Sequence, residues 1–169
     1  MTKESSSPLP AQLPAASVPR PGWQDWLRYW GTVAAWMTVI AMLSSDAFSA
    51  TNTNRYLDPL LRFLFPGIST SQILLAHTLV RKSAHFAEFL VLGLLVFWAS
   101  RRGRPPRWRW RWMVQALVIA GGYALLDELR QAFVPSRTAS FADSGVDSLG
   151  ALVSQSLVYL RYRWLMRWS

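Results

Sequence analysis

Residues 127–147 read DELRQAFVPSRTASFADSGVD, and apolar runs long enough to enter a lipid bilayer flank them on both sides. The stretch holds four of the nine acidic residues, two arginines and a proline. An ionised side chain at the centre of a bilayer costs on the order of 3 kcal/mol unless it finds a partner. The chain is therefore constrained to folds in which this segment meets other polar segments at a helix end.

The composition agrees. Half of the 169 residues are apolar, 51%, and only 16% are charged, a membrane-like profile with room for one domain. Many of the ten tryptophans lie at the ends of apolar runs, where an amphipathic ring sits at headgroup level. Cysteine is absent, which excludes disulfides, thiol nucleophiles and cysteine-bound metals. The net charge of +9 informs only once the charges are placed relative to the membrane.

The expected fold is all-α: an integral membrane four-helix bundle, with an interfacial amphipathic segment between the first and second spans. Residues 1–22, rich in Ser, Pro and Ala, form a tail too polar to bury a core and are expected to be disordered. The membrane domain is expected over 23–169, with spans at about 27–45, 82–100, 112–132 and 144–162. Between the first two, Leu57, Leu60, Leu61 and Leu64 recur at helical spacing, which predicts a helix lying on the membrane and broken at Pro66-Gly67. Ser69, Thr70 and Ser71 offer N-cap hydroxyls for the helix that follows. Gly93, Gly121, Gly122 and Gly150 are expected to be points of close helix approach.

Charge placement predicts the orientation. With four spans, the N-terminal tail, the arginine-rich loop RRGRPPRWRWRW and the C-terminus share one side and hold twelve of the eighteen basic residues. Two acids fall there and seven on the other side, so the faces carry 12 − 2 = +10 and 6 − 7 = −1. Both termini are thereby expected in the cytoplasm. The arginine-rich loop reads as an anchor for anionic headgroups, and no nucleic-acid partner is expected.

On the opposite face, spacing selects residues that can cooperate. Arg81 and His85 are four apart and Glu88 three further on, so they share a helix face, with Glu88 ~4.5 Å deeper than His85. Asp127, Arg130 and Gln131 share another, while Glu128 is expected to point elsewhere. Arg137 follows Pro135 in a short loop, and Asp143 and Asp147 lead into the last span. His77 is expected to be an interfacial side chain and no ligand.

RKSAHFAEFLVLG followed by DELRQAFVPSRTASFADSGVDSLGA resembles the VanZ-like family, small polytopic bacterial membrane proteins named after a teicoplanin-resistance protein. The strongest points are Arg81, Lys82, His85, Asp127, Glu128, Gln131, Pro135, Arg137, Asp143, Asp147 and Gly150. Arg130 stands where the family usually has His, and Ser136 where it usually has Gly. The resemblance implies a multi-pass protein of the bacterial inner membrane, with an envelope role bearing on sensitivity to glycopeptides.

Two functional readings follow. In one, Arg81, Lys82, Arg130, Gln131, Arg137 and Asp147 bind an anionic, lipid-linked envelope precursor, since guanidinium groups hold phosphate and carboxylate well. Its catalytic version makes His85 a general acid or base oriented by Glu88 or Asp127, with Asp143 in support; another version has His85 and the carboxylates hold a divalent metal. In the other reading the cluster is an ion-pair network that fixes helix packing in a non-catalytic scaffold. No nucleophile motif or HExxH spacing is present, and neither a cofactor nor an oligomeric state can be assigned.

Overall fold

The computed structural model describes residues 22–45, 50–102, 108–133 and 141–168, without the side chains of 50–54, 56 and 141–143. The expected N-terminal tail, the Pro105-Pro106 break, Pro135, Ser136, Arg137 and the Asp143 side chain lie outside the described residues. Among those described there are five helices and no strand: α1 Trp23–Leu43, α2 Ala50–Leu64, α3 Thr70–Arg101, α4 Trp110–Gln131 and α5 Phe141–Arg167.

Local chemistry sets several helix ends. The Gly22 N–H donates to Asp25 Oδ2 at 3.1 Å, so an acid in the first turn holds the start of α1. Between α2 and α3 the chain turns through Pro66-Gly67, and Ser69 caps α3 reciprocally. Gln72 N–H donates to Ser69 Oγ at 3.3 Å, and Ser69 N–H donates to Gln72 Oε1 at 2.9 Å. α2 packs on α3, with Leu60, Phe63 and Leu64 exposed. His77, expected to be an interfacial side chain, pairs with Asp58 at 2.5 Å and ties α2 to α3.

α3 departs from the expected second span. It is one continuous helix of 32 residues, ~48 Å long at 1.5 Å per residue against ~30 Å of hydrocarbon. The residues before Arg81 precede the expected second span and carry α2. Among the described residues two helices, α3 and α4, are long and apolar enough to cross a bilayer. α1 and α5 have the length, at 21 and 27 residues, but polar residues interrupt them: Gln24, Asp25 and Arg28 in α1, and Ser144, Asp147, Ser154 and Gln155 in α5.

α5 makes its largest contact with α3 and also packs on α4; α3 packs on α4, and α1 on α3. Ala116, Ala120 and Ala124 give α4 a buried face of small side chains at intervals of four. Phe89, Leu92, Val96 and Phe97 of α3 fill the core, and Phe97 meets Trp112 edge-on with ring centroids 6.0 Å apart. α1 is bonded through side chains: Trp36 Nε1–H donates to the Glu88 carbonyl at 3.0 Å, and the Tyr123 hydroxyl donates to the Met37 carbonyl at 2.5 Å.

The close helix approaches fall at two of the four expected glycines. A Cβ at Gly150 would overlap the Phe86 carbonyl oxygen, and one at Gly93 would overlap the Ser154 hydroxyl. Gly121 and Gly122 meet nothing within 4 Å. Neither is therefore a close crossing among the described residues, which corrects the expectation for that pair.

Large apolar side chains point outward and polar ones inward. Leu125, Leu126 and Leu129 of α4 and Leu149, Leu152 and Leu157 of α5 are exposed, whereas Asp127, Glu128, Gln131, Ser144, Asp147, Ser154 and Gln155 are buried. Water disfavours such a distribution and a lipid surround suits it.

Candidate functional site

The polar residues buried at the C-terminal ends of α1 and α4, the N-terminal end of α5 and the middle of α3 meet in one place. At the other end of the bundle Trp108 packs edge-on against Tyr159 at 5.2 Å, and Arg163 lies over Tyr159 at 6.0 Å. Arg101, Arg102, Arg109, Arg111, Arg161, Arg163 and Arg167 belong to that second end.

Asp127 is a hub. Its side chain is 1% exposed. Its Oδ2 accepts from the Ser44 hydroxyl at 2.8 Å and from Gln131 Nε2 at 2.7 Å, and its Oδ1 accepts from Arg130 Nη2 at 3.0 Å. Gln131 extends the chain, because its Oε1 accepts from Arg81 Nη2 at 3.2 Å. Asp127, Arg130, Gln131 and Arg81 are thus one network joining α1, α3 and α4, and both carboxylate oxygens are engaged within it.

His85 belongs to a second group. Its Nδ1 stands 3.4 Å from Asp147 Oδ1, a charge contact too long for a good hydrogen bond. Asp147, and neither Asp127 nor Glu88, is the carboxylate opposite this ring nitrogen. Asp147, expected among the substrate-binding residues, is thus the carboxylate that stands opposite His85. Glu88 and Arg81 also act electrostatically on His85. A small cleft above the pair is lined by Arg81, Lys82, His85 and Val146.

Three side chains were missed by spacing arguments. Ser44, near the end of the first expected span, is buried and bonded to Asp127. Glu128, expected to point elsewhere, is buried at 6% exposure. Ser144 is buried one turn before Asp147. For Ser144 a signal existed, since 144 and 147 are spaced to share a face; for Ser44 none did, because its partner is 83 residues away. Among the described residues no group of three His, Asp or Glu side chains converges closely enough to hold a metal ion. Arg137 and the Asp143 carboxylate are outside the described residues.

Residues 29–162 match the VanZ/LLP1 family. The chain belongs to that family. No curated protein and no solved structure matches it. Membership of the VanZ/LLP1 family and the two apolar helices together suggest a membrane protein of the cell envelope.

Proposed function

We propose that this VanZ/LLP1 protein spans the bacterial inner membrane four times, through α1, α3, α4 and α5, with both termini cytoplasmic. At its outward end it engages the anionic headgroup of a lipid-linked envelope component. Through that component it affects sensitivity to glycopeptides of the teicoplanin type. The observation that carries the binding reading is the cleft where Arg81 and Lys82 stand beside His85. Two cations at the rim of a bilayer offer point-charge and bidentate contacts to a phosphate. The network carboxylate, Asp127, already accepts three hydrogen bonds and is satisfied within the protein.

The scaffold reading keeps a part of the cluster. Asp127 bonds Ser44 across helices and Arg130 and Gln131 on its own helix, and Gln131 reaches Arg81 of α3, which is what a packing tie requires. Arg81, Lys82, His85 and Asp147 are the residues assigned to binding.

Two experiments test the proposal. Native mass spectrometry of the detergent-purified protein should find anionic lipid retained, and Arg81→Gln with Lys82→Gln should lower retention by about tenfold, the effect of one to two kcal/mol from charged hydrogen bonds. A folded double variant that retains as much lipid as the parent defeats the binding reading. For topology, a tag placed between Arg102 and Trp108 should be labelled only after the cells are permeabilised; labelling of intact cells reverses the orientation.

A further inference from the structure

At the outer end of the bundle the enclosed Ser144 Oγ has no hydrogen-bond partner among the described residues, and Asp147 Oδ1 and His85 Nδ1, also enclosed, meet each other at 3.4 Å, too far for a good hydrogen bond. Asp147 is 2% exposed and Ser144 6%. Standing three apart, they share a face of α5, the one on which Asp147 meets His85. Buried polar groups are rarely left unpaired, and within a membrane no bulk water can reach in to satisfy them. His85 belongs both to this trio and to the cleft lined by Arg81, Lys82 and Val146, so the trio adjoins the cations.

The donor and acceptor inventory narrows what can occupy the position. A carboxylate oxygen only accepts, and a serine hydroxyl does either. The facing carboxylate favours the His85 tautomer that carries its proton on Nδ1, which then donates. A group that bridges His85 to Asp147 must accept from the first and donate to the second, and a hydroxyl does both. An ammonium group donates only. It would leave the Nδ1 proton unmatched and would add a third cation beside Arg81 and Lys82.

We propose that Ser144, Asp147 and His85 form a hydroxyl-binding position beside the anion cleft, selecting phosphate esters whose headgroup carries a free hydroxyl: glycerol phosphates or sugar phosphates. This rests on the reading that the cleft takes an anion. It adds selectivity between anions of equal charge.

The test uses the full chain in detergent and native mass spectrometry with equimolar phosphatidylglycerol and phosphatidylmethanol, phosphodiesters of equal charge that differ in headgroup hydroxyls. A parallel arm compares a polyprenyl diphosphate esterified with a sugar and the same diphosphate esterified with methyl, again of equal charge, which separates a glycerolipid source from an isoprenoid one. In at least one arm the hydroxyl-bearing member should be retained about fivefold over its control, the effect expected of one net hydrogen bond. Ser144→Ala and Asp147→Asn should each bring that ratio close to one. Ser144→Ala should melt no lower than the parent, because it removes an unpaired buried hydroxyl, whereas a purely structural serine would lower the melting temperature. Arg81→Gln should weaken both members of a pair and leave their ratio unchanged.

Equal retention within both pairs overturns the hydroxyl position, whether it is empty or holds only water, and leaves the anion reading standing. Preference for phosphatidylethanolamine over phosphatidylglycerol overturns it in favour of an ammonium group. Failure of every anionic lipid to bind overturns both readings.

Discussion

Asp127→Ala is expected to cost the detergent-purified protein about 2–4 kcal/mol of folding stability, from three hydrogen bonds worth roughly 0.6–1.7 kcal/mol each in a membrane bundle and the penalty of stranding their donors. Ser44, Gln131 and Arg130 all lose their acceptor at once, and Ser44 and Gln131 are 1% and 2% exposed, too enclosed to turn to solvent. Because the Ser44 bond joins α1 to α4, the same substitution should loosen α1. Thermal or SDS unfolding in detergent measures the first effect, and protease sensitivity of α1 the second. Arg130→Ala is the control. Its side chain is 42% exposed and pairs with Asp127 one turn away on the same helix, so its loss should cost only about 0.3–0.5 kcal/mol. Were Asp127→Ala to melt like the parent but release bound lipid, Asp127 would belong to the ligand site and the division between tie and site would fail.

Gly150→Leu should be at least as damaging. At this glycine α5 lies against the backbone of α3: a Cβ would overlap the Phe86 carbonyl oxygen and stand 3.2 Å from the Leu90 nitrogen. Helix backbone cannot rotate out of the way as a side chain can, so the two helices must separate. Overpacking of this kind costs on the order of 3 kcal/mol. It acts on the largest helix contact in the molecule and beside the His85–Asp147 pair, so folded yield and anionic-lipid retention should fall together. Gly122→Leu, introduced where nothing lies within 4 Å, should leave both unchanged. Size-exclusion profiles and melting temperatures of the two variants decide the matter: equal behaviour would mean that α3 and α5 do not cross at Gly150.

Much of the candidate site was legible along single helices. The spacing of Arg81, His85 and Glu88, and of Asp127, Arg130 and Gln131, follows from 3.6 residues per turn, and the intrahelical bonds from Asp127 to Arg130 and Gln131 obey it. The capped restart of the chain at Ser69 was legible for the same reason, since a cap and its acceptor lie within four residues. The pairing of His85 was not. Asp127, Glu88 and Asp147 all lie close enough along their helices to be its partner, and the choice depends on how each helix is rotated about its axis.

That rotation is where sequence and tertiary structure part. Hydropathy and local spacing by themselves determined an all-helical chain, the turn at Pro66-Gly67, the shared helix faces of the charged residues, and the motif that placed the chain near its family. Only the packed structure decided that Gly93 and Gly150, and not Gly121 and Gly122, are the close crossings, that Ser44 bonds to Asp127, and that Asp147 faces His85. The physical reason is that the core and the exposed face are both apolar here. Leu126 pointing outward and Ala124 pointing inward read alike in a hydropathy pattern, so burial leaves no amphipathic signature from which the facing direction of a helix can be read.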